Sequence, residues 1–365
     1  MIVDTLYKRV LKPVLFRFDP ESVHRGFTKV GVSLGNHALG RAVTRSLFYY
    51  AHPSLTSTVA GISFPNPVGL AAGFDKNAQL HKILPEIGFG FAELGSITGE
   101  RCAGNPRPRL FRVPRDRSIL VNYGLYNYGA QAISRRLRHT RFCIPIGFSV
   151  AKTNDPSLST EQGIADYVKA YRMMHPLGSY TTINVSCPNT ADGQTFGHPE
   201  NLSRLLAALA KEPHQKPIFL KIKPDMTPSQ LKEVISIVDK YDWVTGFIIS
   251  NLTMHREGLR TSKEALDALS LKGGLSGKAV CDKATNVIRS VRRQTDKIII
   301  GCGGIFNGKD AYDKLKSGAS LVQMVTGLIY EGPGVVSKIN RQLVDLLQAD
   351  GYGRISEVVE EARSR

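Results

Sequence analysis

IIIGCGGI, residues 298–305, joins a run of branched apolar residues directly to a pair of glycines. A run this short, rich in isoleucine and stopped by glycine, reads as a strand buried on both faces, as in a parallel sheet covered by helices. The same signature, a few apolar residues ending on small or polar ones, recurs at 68–72, 91–95, 144–150, 181–185, 218–222, 246–249 and 321–325. Between these runs lie stretches able to form helices. Such alternation predicts a parallel sheet of the α/β class, and eight units predict closure into a (β/α)8 TIM barrel. At 365 residues the chain is long enough for one barrel with an added segment.

That segment is expected at 1–50, ahead of a barrel over 51–365. Val3, Leu6, Tyr7, Val10, Val14 and Phe18 recur at helical spacing, with Lys8, Arg9, Lys12 and Arg17 largely between them. A second helix is predicted to start at Asp19 as N-cap with Pro20 in its first position, and Val23, Phe27, Val30 and Leu34 mark its apolar face. The result is a two-helix extension. Eight basic residues against three acids leave it at +5, and the pattern fits either helices packed on the body or an anchor lying on an anionic membrane surface.

Composition narrows the classes. Hydrophobic residues at 42% and charged residues at 22% are globular values that exclude disorder. A net charge of +17 favours an anionic partner, acidic lipid or nucleic acid. No basic helix with base-reading side chains and no aromatic stacking platform supports nucleic acid, so none is expected. The cysteines at 102, 143, 187, 281 and 302 lack the paired spacing of zinc or redox motifs, which suits a reducing compartment. No apolar run approaches the roughly 20 residues of a spanning helix, and the N-terminal apolar residues are too interleaved with charge for a secretory signal.

Barrel enzymes act at the C-terminal ends of their strands. There the sequence places Ala71, Ala72, Gly73 and Lys76 after the first strand, Ser96 after the second, and Ser149 and Lys152 at the third. Asn184, Cys187 and Asn189 follow the fourth, Lys221 ends the fifth, and Ser250 and Asn251 end the sixth. Gly303 and Gly304 follow the seventh, with Thr326 at the eighth. A glycine pair serves any tight turn, and a lone lysine is commonly solvated; placement at one end of one barrel is what gives them weight. Loops after strands 7 and 8 are a frequent phosphate site, where glycines free backbone N–H groups for the anion. Amides at several strand ends, two of these lysines and one thiol suit a planar polar heterocycle. No cluster suggests a metal, and no Ser/His/Asp arrangement suggests acyl transfer.

Taken together, NPVGLAAGFDKN (66–77), GNPRPRLFRVP (104–114), NVSCPNT (184–190), GGLSGK (273–278) and IIIGCGGI (298–305) resemble the dihydroorotate dehydrogenases. DPESVH (19–24) and GNPRPR are similar to the class 2, quinone-reducing branch, and the resemblance runs from about residue 4 to about 353. It implies FMN in the barrel, oxidation of (S)-dihydroorotate to orotate in de novo pyrimidine (UMP) biosynthesis, and transfer of electrons to ubiquinone or menaquinone entering between the N-terminal helices. It also implies a peripheral protein on the cytoplasmic face of the cell membrane, or on the inner mitochondrial membrane in a eukaryote.

Carried over onto this sequence, the resemblance implies FMN contacts at Ala71, Ala72, Gly73, Lys76, Ser96, Ser149, Asn184, Lys221, Ser250, Gly277, Gly303, Gly304, Val325 and Thr326. It implies substrate contacts at Lys76, Gly124, Leu125, Asn184, Asn189 and Asn251, a quinone tunnel at His24 and Arg112, and Cys187 as the base. Four positions depart from the class 2 pattern. Cys187 and Ser149 stand where class 2 has Ser and Asn, and both look like class 1. The family's tyrosine beside flavin and quinone aligns with Val325. The substrate-loop asparagine three residues before Gly124 is Val121, with Asn122 displaced by one. A second reading therefore stays open: the same FMN barrel acting on another dihydropyrimidine or using a different electron acceptor.

Overall fold

The computed structural model describes residues 5–190, 196–267 and 273–364. Val3 of the expected first helix lies outside the described residues. The extension begins with a π-helical turn, Tyr7–Leu11, running into α1 (Lys12–Leu15). Helix α2 (Pro20–Asn36) starts where its cap was expected, the Asp19 carboxylate accepting the Ser22 N–H at 2.7 Å. It ends at His37, whose extended backbone (φ −105°, ψ 131°) stops the helical hydrogen bonds. A third helix, α3 (Ala38–Phe48), follows at once, so the extension carries one helix more than the two expected.

A hairpin of β1 (Ser57–Val59) and β2 (Ile62–Phe64) leads into the barrel. The barrel strands are β3 (Val68–Leu70) and β4 (Phe91–Thr98), then, after an excursion of β5 (Leu110–Val113) and β6 (Ser118–Val121), β7 (Ile146–Ala151), β8 (Tyr180–Asn184), β9 (Ile218–Ile222) and β10 (Gly246–Ile249). β11 (Gly274–Gly277) is a second excursion, and β12 (Ile298–Cys302) and β13 (Leu321–Met324) complete the set. Eight strands, β3, β4, β7, β8, β9, β10, β12 and β13, close in that order with parallel neighbours. All eight coincide with the apolar runs of the sequence.

The outer helices are α4 (Ala130–Leu137), α5 (Thr160–Met174), α6 (Pro199–Leu209), α7 (Pro228–Val238), α8 (Cys281–Arg292) and α9 (Gly308–Lys316). After β13 come the short α10 (Thr326–Glu331), then α11 (Val335–Ala349) and α12 (Ile355–Ser364). Helices α5 and α7 open with full capping boxes, Ser159 with Gln162 and Thr227 with Gln230. Each outer helix buries an apolar stripe such as Leu202, Leu205, Leu206 and Leu209 of α6, worth about 1.5–3 kcal/mol per fully buried side chain.

Inside the barrel, aromatic side chains fill the space that strand glycines leave open. A Cβ on Gly69 would stand 2.4 Å from the Phe91 ring, and one on Gly147 would stand 2.1 Å from the Tyr180 ring. Phe64 of β2 packs edge-on to Phe91 at 5.3 Å, so the hairpin seals that end. The opposite end stays open, and two features shape it. Strands β5, β6 and β11 form a small antiparallel sheet beside it. The β3–β4 connection has no α-helix, and α2 lies on it closely: a Cβ on Gly31 would be 2.8 Å from Leu80, and one on Gly35 3.2 Å from Lys82.

Candidate active site

The strand ends open onto a cleft of about 1230 Å³. Its floor is the turn after β3, where Ala71, Ala72 and Gly73 carry no bulk. Gly73 has φ +106°, a conformation open to glycine, and a Cβ there would meet nothing within 4 Å, so the cleft lies directly over it. At one end Gly303 (φ +108°) and Gly304 (φ +77°) follow β12, and a Cβ on Gly304 would collide with Cys281 at 2.4 Å. The backbone N–H groups of Gly303, Gly304 and Thr326 make no hydrogen bond among the described residues. Gly277 and Thr326 close this end, with Ser276 Oγ 2.8 Å from Thr326 Oγ1. Free N–H groups on glycine beside a hydroxyl are the donor set a phosphate needs.

A polar rim runs along the side. Asn184 donates to Ser96 Oγ at 2.9 Å and its carbonyl accepts from Asn251 at 3.1 Å. Ser186 donates to the Lys221 carbonyl at 2.8 Å, which ties the ends of β8 and β9 together. Asn189 Oδ1 is buried with no partner among the described residues. An unpaired buried acceptor costs about 1–3 kcal/mol, so its placement here points to a ligand donor.

Beneath the rim a charged network crosses the barrel interior. Lys221 Nζ lies 3.2 Å from Glu93 Oε1, both almost wholly buried; the other Glu93 oxygen accepts from Thr182 at 2.9 Å and Gln323 at 3.1 Å. Burial opposes charge on Lys221, but the Glu93 carboxylate outweighs it and holds the lysine above its ordinary value. Glu93 was not singled out from sequence. The signal was available: an acid in the apolar strand Phe91-Ala92-Glu93-Leu94 needs a buried partner.

Two other groups have shifted ionisations. Burial pushes the Cys187 thiol up to about 11, against the opposing pull of the Asn189 N–H and Lys221. Burial lowers Lys76 to about 8, partly offset by Glu21. The Lys76 ammonium stands 3.8 Å over the Tyr123 ring and makes no hydrogen bond among the described residues.

The structure brings most of the expected residues into this one cleft: Ala71, Ala72, Gly73, Lys76, Ser96, Asn184, Lys221, Ser250, Gly277, Gly303, Gly304, Val325 and Thr326, with Cys187, Asn189, Asn251, Gly124, Leu125 and His24. Among the expected flavin and substrate positions, Ser149 is the exception. It lies one layer back, fully buried, with its hydroxyl 2.8 Å from Ser96 Oγ, so it positions Ser96 and does not line the cleft. Val121 does line the cleft, while the displaced Asn122 turns away and accepts from Asn105 at 2.8 Å. Tyr123, Ser276, Val280 and Ile305 also line it and were not foreseen, because their strands and loops carry no local mark of the site.

Arg112 sits in a neighbouring chamber of about 1260 Å³ between α2, α3 and the barrel, walled by residues such as Val23, Phe27, Val30, Leu34 and Phe48. His24, Phe74, Leu110, Ile119 and Ile329 belong to both this apolar tunnel and the cleft. His24 Nε2 is 2.9 Å from the Phe74 carbonyl, and burial lowers its ionisation to about 3, so the ring is neutral. Arg112 donates to the Phe18 carbonyl at 2.8 Å and stacks over the Phe16 ring at 4.5 Å. Among the described residues no group of three or more His, Cys, Asp or Glu could hold a metal.

A closed parallel barrel with a polar cleft at its strand ends and an apolar tunnel leading into it defines the class: a (β/α)8-barrel protein with its site at the C-terminal ends of the strands. A family model described as dihydroorotate dehydrogenase matches residues 54–347, and the chain belongs to that family. Enzymes of this family depend on a flavin. The chain is 37% identical to a dihydroorotate dehydrogenase (quinone) of Natronomonas pharaonis over 358 residues, covering 96% of this chain and 98% of the relative. It is 40% identical to one of Synechococcus sp. (strain JA-3-3Ab) over 349 residues, covering 93% and 92%. A ligand-free DHODH crystal structure from Eimeria tenella superposes with a TM-score of 0.81 at 28% identity, covering 93% of this chain and 98% of that one.

Proposed function

We propose that this chain oxidises (S)-dihydroorotate to orotate in pyrimidine synthesis, using FMN, and passes the electrons to a quinone at an anionic membrane surface. One observation carries the reading: Cys187, Lys76 and the amides of Asn184, Asn189 and Asn251 face one cleft that ends in the donor set of Gly303, Gly304 and Thr326. Those glycines and Thr326 would hold the FMN phosphate, and Ala71 to Gly73, Ser96, Asn184, Lys221 and Ser250 the ring. Bound FMN supplies the hydride acceptor and the link to a one- or two-electron partner.

The chain's own residues do the rest. Lys76 meets the substrate carboxylate, and the unpaired Asn189 Oδ1 accepts from a ring N–H. Cys187 Sγ takes the proton from the ring carbon next to the one that loses hydride, which leaves the new double bond of orotate. Lys221, kept charged by Glu93, would hold the flavin ring and supply a positive charge to offset the negative charge that reduction places on it. Asn184 and Asn251 hold each other and Ser96, which keeps the amides in place before substrate arrives.

The acceptor's route is the apolar tunnel lined by α2 and α3, with His24 where it meets the cleft and Arg112 on its wall. Around it, eleven of the thirteen exposed large hydrophobics among the described residues lie between Leu6 and Leu47, including Phe18 at 60% and Leu39 at 76% exposed. An apolar patch of this kind on a basic segment suits a membrane surface. No helix among the described residues is long and apolar enough to cross a membrane.

Anaerobic addition of dihydroorotate to the yellow protein tests the reading: the flavin bleaches, and a soluble quinone restores its colour. A flavin that stays oxidised overturns it. One observation favours a second reading, oxidation of a different dihydropyrimidine: Val121 faces the cleft where an asparagine was expected. Bleaching by dihydrouracil or dihydrothymine in preference to dihydroorotate would select it.

A further inference from the structure

Helix α2 has two differently lined sides. Val23, Phe27, Val30 and Leu34 wall the apolar tunnel, whereas Glu21, Arg25, Thr28, Lys29 and Val32, spaced by three and four residues, form another face over a second cleft of about 1070 Å³. This second cleft is polar, and it continues into the active cleft past Lys76, Tyr123 and Tyr126, which line both. His24 and Phe74 stand where all three spaces meet.

The charges of the polar cleft favour an anion. Its acids are engaged: Glu21 takes a two-nitrogen contact from Arg109, with Nη2 at 2.9 Å, and a further one from Arg107 at 3.2 Å. The Asp75 carboxylate accepts the N–H groups of Gln79 at 2.9 Å and Leu80 at 2.7 Å. Arg25 and Lys29, both exposed, set the sign of the mouth. At the inner end, among the described residues, the Lys76 ammonium makes no hydrogen bond and the buried Tyr123 hydroxyl has no partner. A cation and a free hydroxyl at the junction are a resting point for a carboxylate.

We propose that the polar cleft is the passage by which the anionic substrate reaches the site and the anionic product leaves it, so that α2 parts a water-borne carboxylate on one face from an apolar acceptor on the other. The inference rests on the function proposed above. Electrostatic focusing in such a cleft raises association rates by about 10–10³-fold and is screened by salt.

Stopped-flow flavin reduction over a range of dihydroorotate concentrations tests it. The double variant Arg25→Glu/Lys29→Glu, altered at two exposed positions, should lower the second-order rate constant about tenfold at low salt and leave the limiting rate unchanged. The deficit should shrink near 0.5 M salt, where screening falls to roughly 4–5 Å. Thr28→Trp, which fills the cleft, should lower the same constant at any salt, and reoxidation by a short-chain quinone should be unchanged in both variants. Wild-type second-order constants in both variants overturn the passage while leaving the function standing. Failure of dihydroorotate to bleach the wild-type flavin overturns the function and the passage with it.

Discussion

The Cys187 thiol, pushed up to about 11 by burial in spite of the Lys221 charge, is mostly protonated at neutral pH. Its thiolate fraction therefore grows about tenfold per pH unit over the accessible range. Flavin reduction at saturating dihydroorotate is expected to climb along that slope from pH 7 with no plateau before pH 9. Cys187→Ser should slow it by about 10²–10⁴-fold while FMN content stays near one per chain, read by stopped flow and by absorbance. A lysine lowered by burial loses its charge as pH rises through its folded value, here about 8. Orotate binding to the oxidised protein is accordingly expected to weaken above pH 8, and to lose that dependence in Lys76→Met, as followed by the spectral shift of the flavin.

At the scale of elements, the attachment of α2 rests on few strong contacts. Glu21 near its start and Arg109 in the loop before β5 are both almost fully buried, and Arg109 also donates to the carbonyls of Ala103 at 2.9 Å and Asn105 at 3.1 Å. Removing one partner of a buried pair leaves the other charge unsatisfied, at a cost of about 3–5 kcal/mol. Glu21→Ala is expected to lose that much in chemical denaturation. It should also lower quinone reduction more than bleaching at saturating dihydroorotate, because α2 walls the tunnel along its length and reaches the active cleft only at His24. At the other end of the extension, Lys8 and Arg117 both pair with Glu331 on α10, which fastens the first helical turns to the barrel.

On the scale of the whole molecule, the exposed large apolar side chains gather in the N-terminal extension, residues 6–47, which is itself basic. Each Lys or Arg near an acidic lipid surface contributes about 1 kcal/mol, and that part is screened by salt. Binding to vesicles containing phosphatidylserine is expected to weaken roughly tenfold between low and high ionic strength, by cosedimentation. A chain beginning at residue 51 should lose the binding altogether and, with the tunnel wall gone, its quinone reductase activity. Full retention of either would separate the extension from the role proposed for it.

The eight strands and the functional end of the barrel were legible in the sequence because their signals are local: four or five apolar residues, a glycine stop, and a polar side chain just beyond. The start of α2 was legible for the same reason, Asp19 and Pro20 being adjacent. The glycines at 303 and 304, the amides at 184, 189 and 251, and Cys187 were found by position at strand ends. What lay beyond the sequence depends on partners far along the chain. The small sheet pairs β6 with β11, more than 150 residues later, and neither strand has a turn beside it naming the other. The helix α3, the retreat of Ser149 behind Ser96, the turning of Asn122 toward Asn105, and the Glu93–Lys221 pair were likewise settled by packing. The apolar stripe of α2 was written in its periodicity. That its opposite stripe also faces a cleft, with His24 at the meeting of three spaces, was decided only when the barrel placed Lys76 and Tyr123 beside it, since a helix's neighbours are a property of the tertiary fold.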